Sequence, residues 1–198
     1  METQKELRLE NGVVIVMRKP SPEEATEYLD KRAVATEGGG QLNALDDGDN
    51  EILQCVLSPC KEEVLELLEE YPGLSAELRD AYKQLGNDRI RVEMDHTLVT
   101  AELTEEQKTK RLIGYKIADQ PLVAKKISRV EMKFFEREMS KLKRVPRKML
   151  AMWASTHVLP KYGETYKTLC QQHPFLPVLL GMDLYGHAHV GMKDVEGK

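Results

Sequence analysis

The stretch LLEEYPGLSAEL at residues 67–78 decides how the chain is interpreted, because a related stretch, LCQQHPFLPVLL, returns at residues 169–180. The two lie 102 residues apart, and three leucines and the proline coincide without a gap. A Val-Leu pair precedes each stretch at the same distance, as Val56-Leu57 and as Val158-Leu159. Similarity at a fixed spacing is the sequence sign of a repeated structural unit. We therefore interpret the chain as two diverged copies of one helical module.

Upstream, the two copies are matched with a slip of one residue, which places Arg18-Lys19-Pro20 opposite Asp119-Gln120-Pro121. In each copy a strand-like run leads into the proline, and a charged amphipathic stretch follows it. The strands are predicted at residues 13–17 and 113–118, and the helices that follow at residues 22–35 and 122–143. The order strand, proline, helix, loop, Val-Leu, helix, proline, helix is thus expected twice.

Local signals support the first copy. Asn11-Gly12 between two short apolar runs predicts a tight β-hairpin. Ser21-Pro22, followed by two glutamates, is a typical helix start, with a capping hydroxyl and an early proline. Gly-rich and Asp-rich residues at 36–50 predict an acidic loop, and Gly86-Asn87 ends the helix predicted at 74–85.

The second half is less regular. Residues 88–103 alternate in part, which predicts a second hairpin turning at Asp95-His96, and Thr104 with Gln107 has the spacing of a capping box. The helix at 122–143 is expected to bury one face, and residues 186–198 to form a loose tail. The residues assigned to that buried face are Ile127, Val130, Phe134 and Leu142, together with Phe135 and Met139.

These patterns predict a mainly α fold with short β-hairpins, in the α+β class, built as two tandem modules. We expect an acidic module at residues 1–88, a connector at 89–111 and a basic module at 112–198. The charge is unequal: residues 1–100 carry 11 Lys and Arg against 22 Asp and Glu, while residues 101–198 carry 18 against 11. Halves of opposite sign attract each other, or each attracts a different partner.

Composition favours a soluble intracellular protein. The chain is 41% hydrophobic and 31% charged, enough to bury a core and remain soluble. The polar N-terminal residues lack the apolar run of a secretion signal, and no apolar stretch is long enough to cross a bilayer. Three cysteines, an odd number, indicate free thiols in a reducing compartment. We therefore expect a cytoplasmic protein.

A row of basic residues along 126–148 is the most prominent candidate surface. Its members recur mostly three or four residues apart, which places them along one helical face. Three interpretations remain open: phosphates of nucleic acid, a solvated face partly paired with neighbouring glutamates, or contact with the acidic first half. The residues are Lys126, Arg129, Lys133, Arg137, Lys141, Arg144 and Lys148.

No motif in the sequence indicates a reaction. Gly38-Gly39-Gly40 lacks the Lys-Ser/Thr that completes a phosphate-binding loop, and no nucleophile elbow or dinucleotide motif occurs. Asp183, His187 and His189, with Cys170 and His173, offer metal-binding side chains. A polar C-terminal segment explains them better, since Gly186 weakens a helix there and no Glu stands beside the histidines as a base. We expect no enzymatic activity, no catalytic residue, no metal and no cofactor.

The first copy resembles small phage tail assembly chaperones. In that family a short strand leads into Arg-x-Pro-Ser/Thr and an acidic helix start, and residues 9–24, LENGVVIVMRKPSPEE, are similar to this opening. Residues 56–86, with Glu69-Glu70-Tyr71-Pro72-Gly73-Leu74, resemble a second signature, in which a leucine-rich helix meets a Pro-Gly-Leu step. The resemblance covers residues 7–88, and the second copy departs from it, with Phe175 where the first has Gly73.

The resemblance implies a role in holding the tape measure protein during tail assembly in the host cytoplasm. The apolar residues of the first module are then either core or lining of a partner-binding groove: Val64, Leu67, Leu68, Leu74 and Leu78. Two alternatives are a structural tail or baseplate component, present in the virion, and a nucleic-acid-binding protein that uses the basic helix. An oligomer is compatible with each of these roles.

Overall fold

The computed structural model describes residues 3–37, 47–101 and 112–193, and all structural statements concern those residues. The strands are β1 (Gln4–Arg8), β2 (Val14–Arg18), β3 (Val56–Ser58), β4 (Glu93–Met94), β5 (Leu112–Ile117) and β6 (Gln120–Lys125). The helices are α1 (Pro22–Glu37), α2 (Asp47–Leu53), α3 (Lys61–Glu70), α4 (Leu74–Gly86), α5 (His96–Ala101), α6 (Arg129–Leu142), α7 (Arg147–His157), α8 (Gly163–Gln172) and α9 (Leu176–Lys193), with a 3₁₀ turn at Pro160–Tyr162. The predicted class, mainly α with short β-hairpins, is confirmed. No helix in the described ranges is both long and apolar enough to span a membrane.

In the first module a three-stranded antiparallel sheet, ordered β1-β2-β3, supports four helices. Gly12 closes the β1–β2 hairpin with a positive φ of 86°, the left-handed conformation that ends a three-residue hairpin loop. Ile15 and Met17 alternate inward from β2 and are fully buried against Tyr28 of α1 and Tyr82 of α4. The predicted hairpin at Asn11-Gly12 is therefore present.

The second module repeats this arrangement. The β5–β6 hairpin corresponds to the β1–β2 hairpin. Ala124 of β6 forms a β-bridge with Val158, just as Met17 of β2 pairs with Val56 of β3. Helices α8 and α9 begin 102 residues after α3 and α4, in agreement with the spacing in the sequence. The proline steps also match, since Tyr71 N–H donates to Leu67 O over 2.8 Å and His173 N–H to Leu169 O over 2.7 Å.

The upstream match predicted from the sequence is wrong by several residues. The strand pairings show that Met17 of the first copy corresponds to Ala124 of the second, 107 residues later. Arg18 therefore corresponds to Lys125 and not to Asp119. The two prolines that suggested the original match have different roles, because Pro20 follows β2 whereas Pro121 lies within β6. The segment between the two matched parts is therefore five residues shorter in the second copy.

Several other boundaries differ from the prediction. The helix expected from residue 122 begins at Arg129, because residues 120–125 form β6, and its buried residues are Met132 and Phe135. The predicted face is wrong for Val130, Phe134 and Leu142, which are exposed. Residues 47–53 form a helix, not part of the acidic loop.

The connector and the tail are also more ordered than predicted. Within 89–111, β4 pairs with β5 and so belongs to the second sheet. Helix α5 begins at His96, where a hairpin turn was expected. Helix α9 continues through Gly186 to Lys193. The capping box predicted at Thr104 and Gln107 lies outside the described residues, as do residues 38–46 of the predicted loop.

Phe175 joins the two modules. It begins the last helical segment of the second module but is 1% exposed inside the core of the first. Its ring packs edge-on against Tyr28 and Tyr82, with centroids 6.3 and 6.0 Å away. Gly86 lies directly beneath the ring, and a Cβ there would collide with it. A larger side chain at position 86 would therefore push the modules apart.

We expect Phe175→Ala to lower the free energy of unfolding by about 3–5 kcal/mol, because it leaves a cavity between two tyrosines in a closed core. Phe134→Ala is the matched control, since that ring is 55% exposed and its removal should change stability by at most about 0.5 kcal/mol. Urea unfolding of the two variants and the parent chain makes the comparison. Equal stability losses in both variants would contradict the assigned position of Phe175.

Candidate protein-binding surface

Helix α6 is positioned by a capping box. The Ser128 hydroxyl accepts from the N–H of Glu131 over 3.3 Å, and the Glu131 carboxylate accepts from the N–H of Ser128 over 2.8 Å. This reciprocal pair satisfies two backbone donors that a helix start leaves open. Met132 and Phe135 then point into the core, with Phe135 packed on Trp153 at a centroid distance of 4.6 Å. The opposite side of α6 is thereby fixed toward solvent.

That solvent side, which we term the α6 outer face, consists of Val130, Lys133, Phe134, Arg137 and Lys141. Val130 is 78% exposed and Phe134 is 55% exposed. Their positions, four residues apart, place them next to each other on the helix surface. Lys133 and Arg137 flank them, so the face combines an apolar strip with positive charge.

The cations of this face have little internal compensation. Lys141 pairs with Glu138 over 2.6 Å. Lys133 and Arg137 form no ion pair with any residue that the structure describes. Aromatic residues and arginine are enriched at protein interfaces, where their apolar parts are covered and their charges are paired. The α6 outer face shares its aromatic ring and its arginine with such surfaces, whereas lysine is depleted at them.

The basic row predicted from the sequence divides into two parts. Lys126, Arg129 and the three cations of the α6 outer face are exposed to solvent. Arg144 and Lys148 lie across from the first module instead, where Arg144 forms a bidentate pair with Asp30 at 2.8 and 3.0 Å and Lys148 reaches Glu27 at 2.5 Å. Contact with the acidic half therefore explains these two residues.

Asp30 is the centre of this contact. Its side chain is 11% exposed and also accepts from the backbone N–H of Arg147 over 2.8 Å. Burial alone would raise the pKa of Asp30, but the hydrogen bonds and charge of Arg144, with the backbone donors, hold that pKa below its ordinary value. The carboxylate is therefore charged in the folded protein and holds the start of α7 against α1.

The apolar residues proposed for partner binding lie mostly inside the first module. Val64, Leu74 and Leu78 are at most 2% exposed and belong to its core. Leu67 and Leu68 are half-buried against that core. The three buried residues cannot contact a partner without unfolding, whereas Leu67 and Leu68 retain exposed surface.

His173 and His187 have different partners. His187 lies 3.1 Å from Asp183, one turn away on α9, while Nδ1 of His173 faces Nδ2 of Asn87 at 2.8 Å. The side chain of His189 is not among those described. Within the described residues no three His, Cys, Asp or Glu side chains are placed to hold a metal ion.

A shallow groove of about 710 Å³ runs along the boundary between the modules. Thr26 and Glu27 of α1 form one wall, and Met152 of α7, which is 49% exposed, forms part of the other. Tyr166 and Pro177 contribute apolar surface. Of the candidate residues singled out from the sequence, Lys148 of the basic row and Cys170 line this groove.

We expect Asp30→Asn to lower the free energy of unfolding at neutral pH by about 3 kcal/mol, because it leaves the Arg144 guanidinium half-buried without its carboxylate. Since folding depresses the Asp30 pKa, its stabilisation is complete above the unfolded value of about 4 and is lost as pH falls through the lower folded value. The variant should therefore lose less stability than the parent chain between neutral pH and about pH 3. Asp80→Asn, on the exposed side of α4, is the control and should change the free energy of unfolding at neutral pH by at most about 0.5 kcal/mol.

Comparison with known proteins gives no match, since no family model, curated protein or solved structure corresponds to this chain. The likeness of residues 7–88 to phage tail assembly chaperones therefore rests on the short motifs quoted above. The choice of the α6 outer face as the candidate surface rests instead on the exposure and packing of its own residues.

Proposed function

We propose that this protein is a non-enzymatic protein-binding factor that holds a partner on the α6 outer face. The observation that carries the proposal is the exposure of Val130 and Phe134 on a helix whose other side is firmly packed. Apolar side chains are excluded from water when a partner covers them, which provides a driving force for association. Lys133 and Arg137 add charge that orients the partner and speeds the encounter.

The narrower proposal is an assembly factor of the phage tail chaperone type, with the tape measure or another tail protein as partner. It draws on the resemblance of residues 7–88, whose matched segments are β2 with the start of α1, and α3 with α4. A chaperone of this type has to release its partner as assembly proceeds. A small apolar strip surrounded by charge suits reversible binding better than a large apolar interface does.

Site-specific photo-crosslinking tests this proposal. A photoreactive amino acid replaces Phe134 in one variant. In the control variant it replaces Met182, a residue of α9 that is 45% exposed. We expect irradiation in the native cell to capture one defined protein from position 134 and not from position 182. A tail tape measure protein would support the narrower proposal, and absence of any position-specific protein would overturn the broader one.

A second candidate is nucleic-acid binding, favoured by the exposed cations Lys126, Arg129, Lys133 and Arg137, which form no ion pair with the described residues. If it is correct, a labelled duplex of about 20 base pairs should bind with an affinity that falls steeply with salt. Arg129→Ser and Arg137→Ser should each reduce the salt slope by about 1. A salt-independent affinity, or unchanged slopes in both variants, would exclude this use of the basic helix.

A structural tail or baseplate component differs from a chaperone in its final location. A virion component stays in purified particles, whereas a chaperone is absent from them. Mass spectrometry of purified particles decides between the two, and its outcome does not depend on the binding face.

A further inference from the structure

The chain contains its own example of how a helix docks on this kind of face. Helices α1 and α6 correspond at a spacing of 107 residues. The Ser21 hydroxyl and the Glu24 carboxylate form the same capping box as Ser128 and Glu131, with bonds of 3.1 and 2.8 Å. The buried sides correspond too, with Tyr28 at the position of Phe135. The outer sides of the two helices are therefore equivalent surfaces.

On α1 this outer side is covered. Glu27 pairs with Lys148, Asp30 pairs with Arg144 and with the N–H of Arg147, and Thr26 is 9% exposed. The covering element is α7 with the residues just before it, a segment that carries Lys143, Arg144, Arg147 and Lys148. An acidic helix face thus receives a basic segment.

On α6 the equivalent side is exposed and its charge is reversed. Arg137 stands where α1 has Asp30, Lys133 where it has Thr26, and Phe134 where it has Glu27. Val130 takes the place of Glu23. The segment that fits this face must therefore be acidic where α7 is basic, and must bring apolar surface to Phe134 and Val130.

We propose that the α6 outer face binds an acidic amphipathic helix of a partner protein, seated as α7 is seated on α1. This inference rests on the proposed function and adds the chemistry of the partner. Carboxylates of the partner helix meet Lys133 and Arg137, as Asp30 meets Arg144 within the chain. An apolar residue between them covers Phe134, in the manner of a helix docking on an apolar strip with charged edges.

A peptide derived from the chain itself tests the idea. Residues 143–158 are synthesised with Lys143→Glu, Arg144→Glu, Arg147→Glu and Lys148→Glu, and a lactam bridge on the solvent side keeps the peptide helical, which lowers the ordering cost on binding. The unaltered sequence with the same bridge is the control peptide. Fluorescence anisotropy measures binding of each labelled peptide to the full chain.

We expect the charge-reversed peptide to bind at least about 10-fold more tightly than the control peptide, because only the former offers charges opposite to those of α6. Arg137→Glu should weaken its binding by at least about 10-fold, whereas Arg89→Glu, at an exposed position remote in sequence from α6, should leave it unchanged. Raising the salt from about 50 to about 300 mM should weaken it as well. Equal binding of the two peptides, or no effect of Arg137→Glu, would overturn the inference.

The two proposals fail in different ways. If crosslinking at position 134 captures a protein but the charge-reversed peptide does not bind, the protein-binding function stands and the acidic helix is wrong. If the peptide binds but no protein is captured in cells, the chemistry of the face stands and the function is wrong. A second copy of the chain could also occupy the α6 outer face, and sedimentation of the chain alone tests this. If the chain dimerises and Arg137→Glu abolishes the dimer, the face binds a second copy, and the proposal of a separate partner protein is overturned.

Discussion

The docking of the second module against the first covers the outer face of α1, while the corresponding face of α6 stays exposed. Phe175 fills a closed space above Gly86 and between two tyrosines, and so fixes where α9 begins. The start of α7 is held at the same boundary, because Asp30 accepts from the Arg144 side chain and from the backbone N–H of Arg147. Burial of Phe175 supplies most of the driving force for docking of the two modules, while the Asp30–Arg144 ion pair fixes their relative orientation.

The sequence revealed the repeated helical hairpins because their signal is local. A proline step between two leucine-rich helices needs only neighbouring residues, and the 102-residue spacing of α3–α4 and α8–α9 follows directly from it. Asn11-Gly12 and Ser21-Pro22 were equally informative, since a turn and a helix start are decided within a few residues.

The upstream match is wrong because the two prolines have different structural roles, whereas the two capping boxes are equivalent. Ser21-x-x-Glu24 and Ser128-x-x-Glu131 lie 107 residues apart and would have given the correct register, since both ends of that motif are fixed by backbone donors. Periodicity then misassigned the faces of α6, where apolar residues occur on both sides. The side that is core is the one on which Met132 is buried and Phe135 packs against Trp153 and Tyr185.

The role of Phe175 was beyond reach of the sequence for a different reason. Its position looked like a departure from the Pro-Gly-Leu step, but its burial depends on a pocket built by residues about 90 to 150 positions earlier. Long-range contacts between modules leave no periodic trace in either partner. The same holds for Arg144 and Lys148, which continue the basic row in sequence yet belong to the boundary between the modules.

Comparing the two copies separates what the fold requires from what it leaves open. Positions with a structural task keep their chemistry, as the capping serine and glutamate do, and as the ring does at Tyr28 and Phe135. The outward positions do not, since Asp30 becomes Arg137 and Glu27 becomes Phe134. Packing within the second module places no demand on Phe134, and leaving an aromatic ring in water gains no stability. An exposed ring stands here beside Lys133 and Arg137, which form no ion pair among the described residues, so packing does not explain this change from α1.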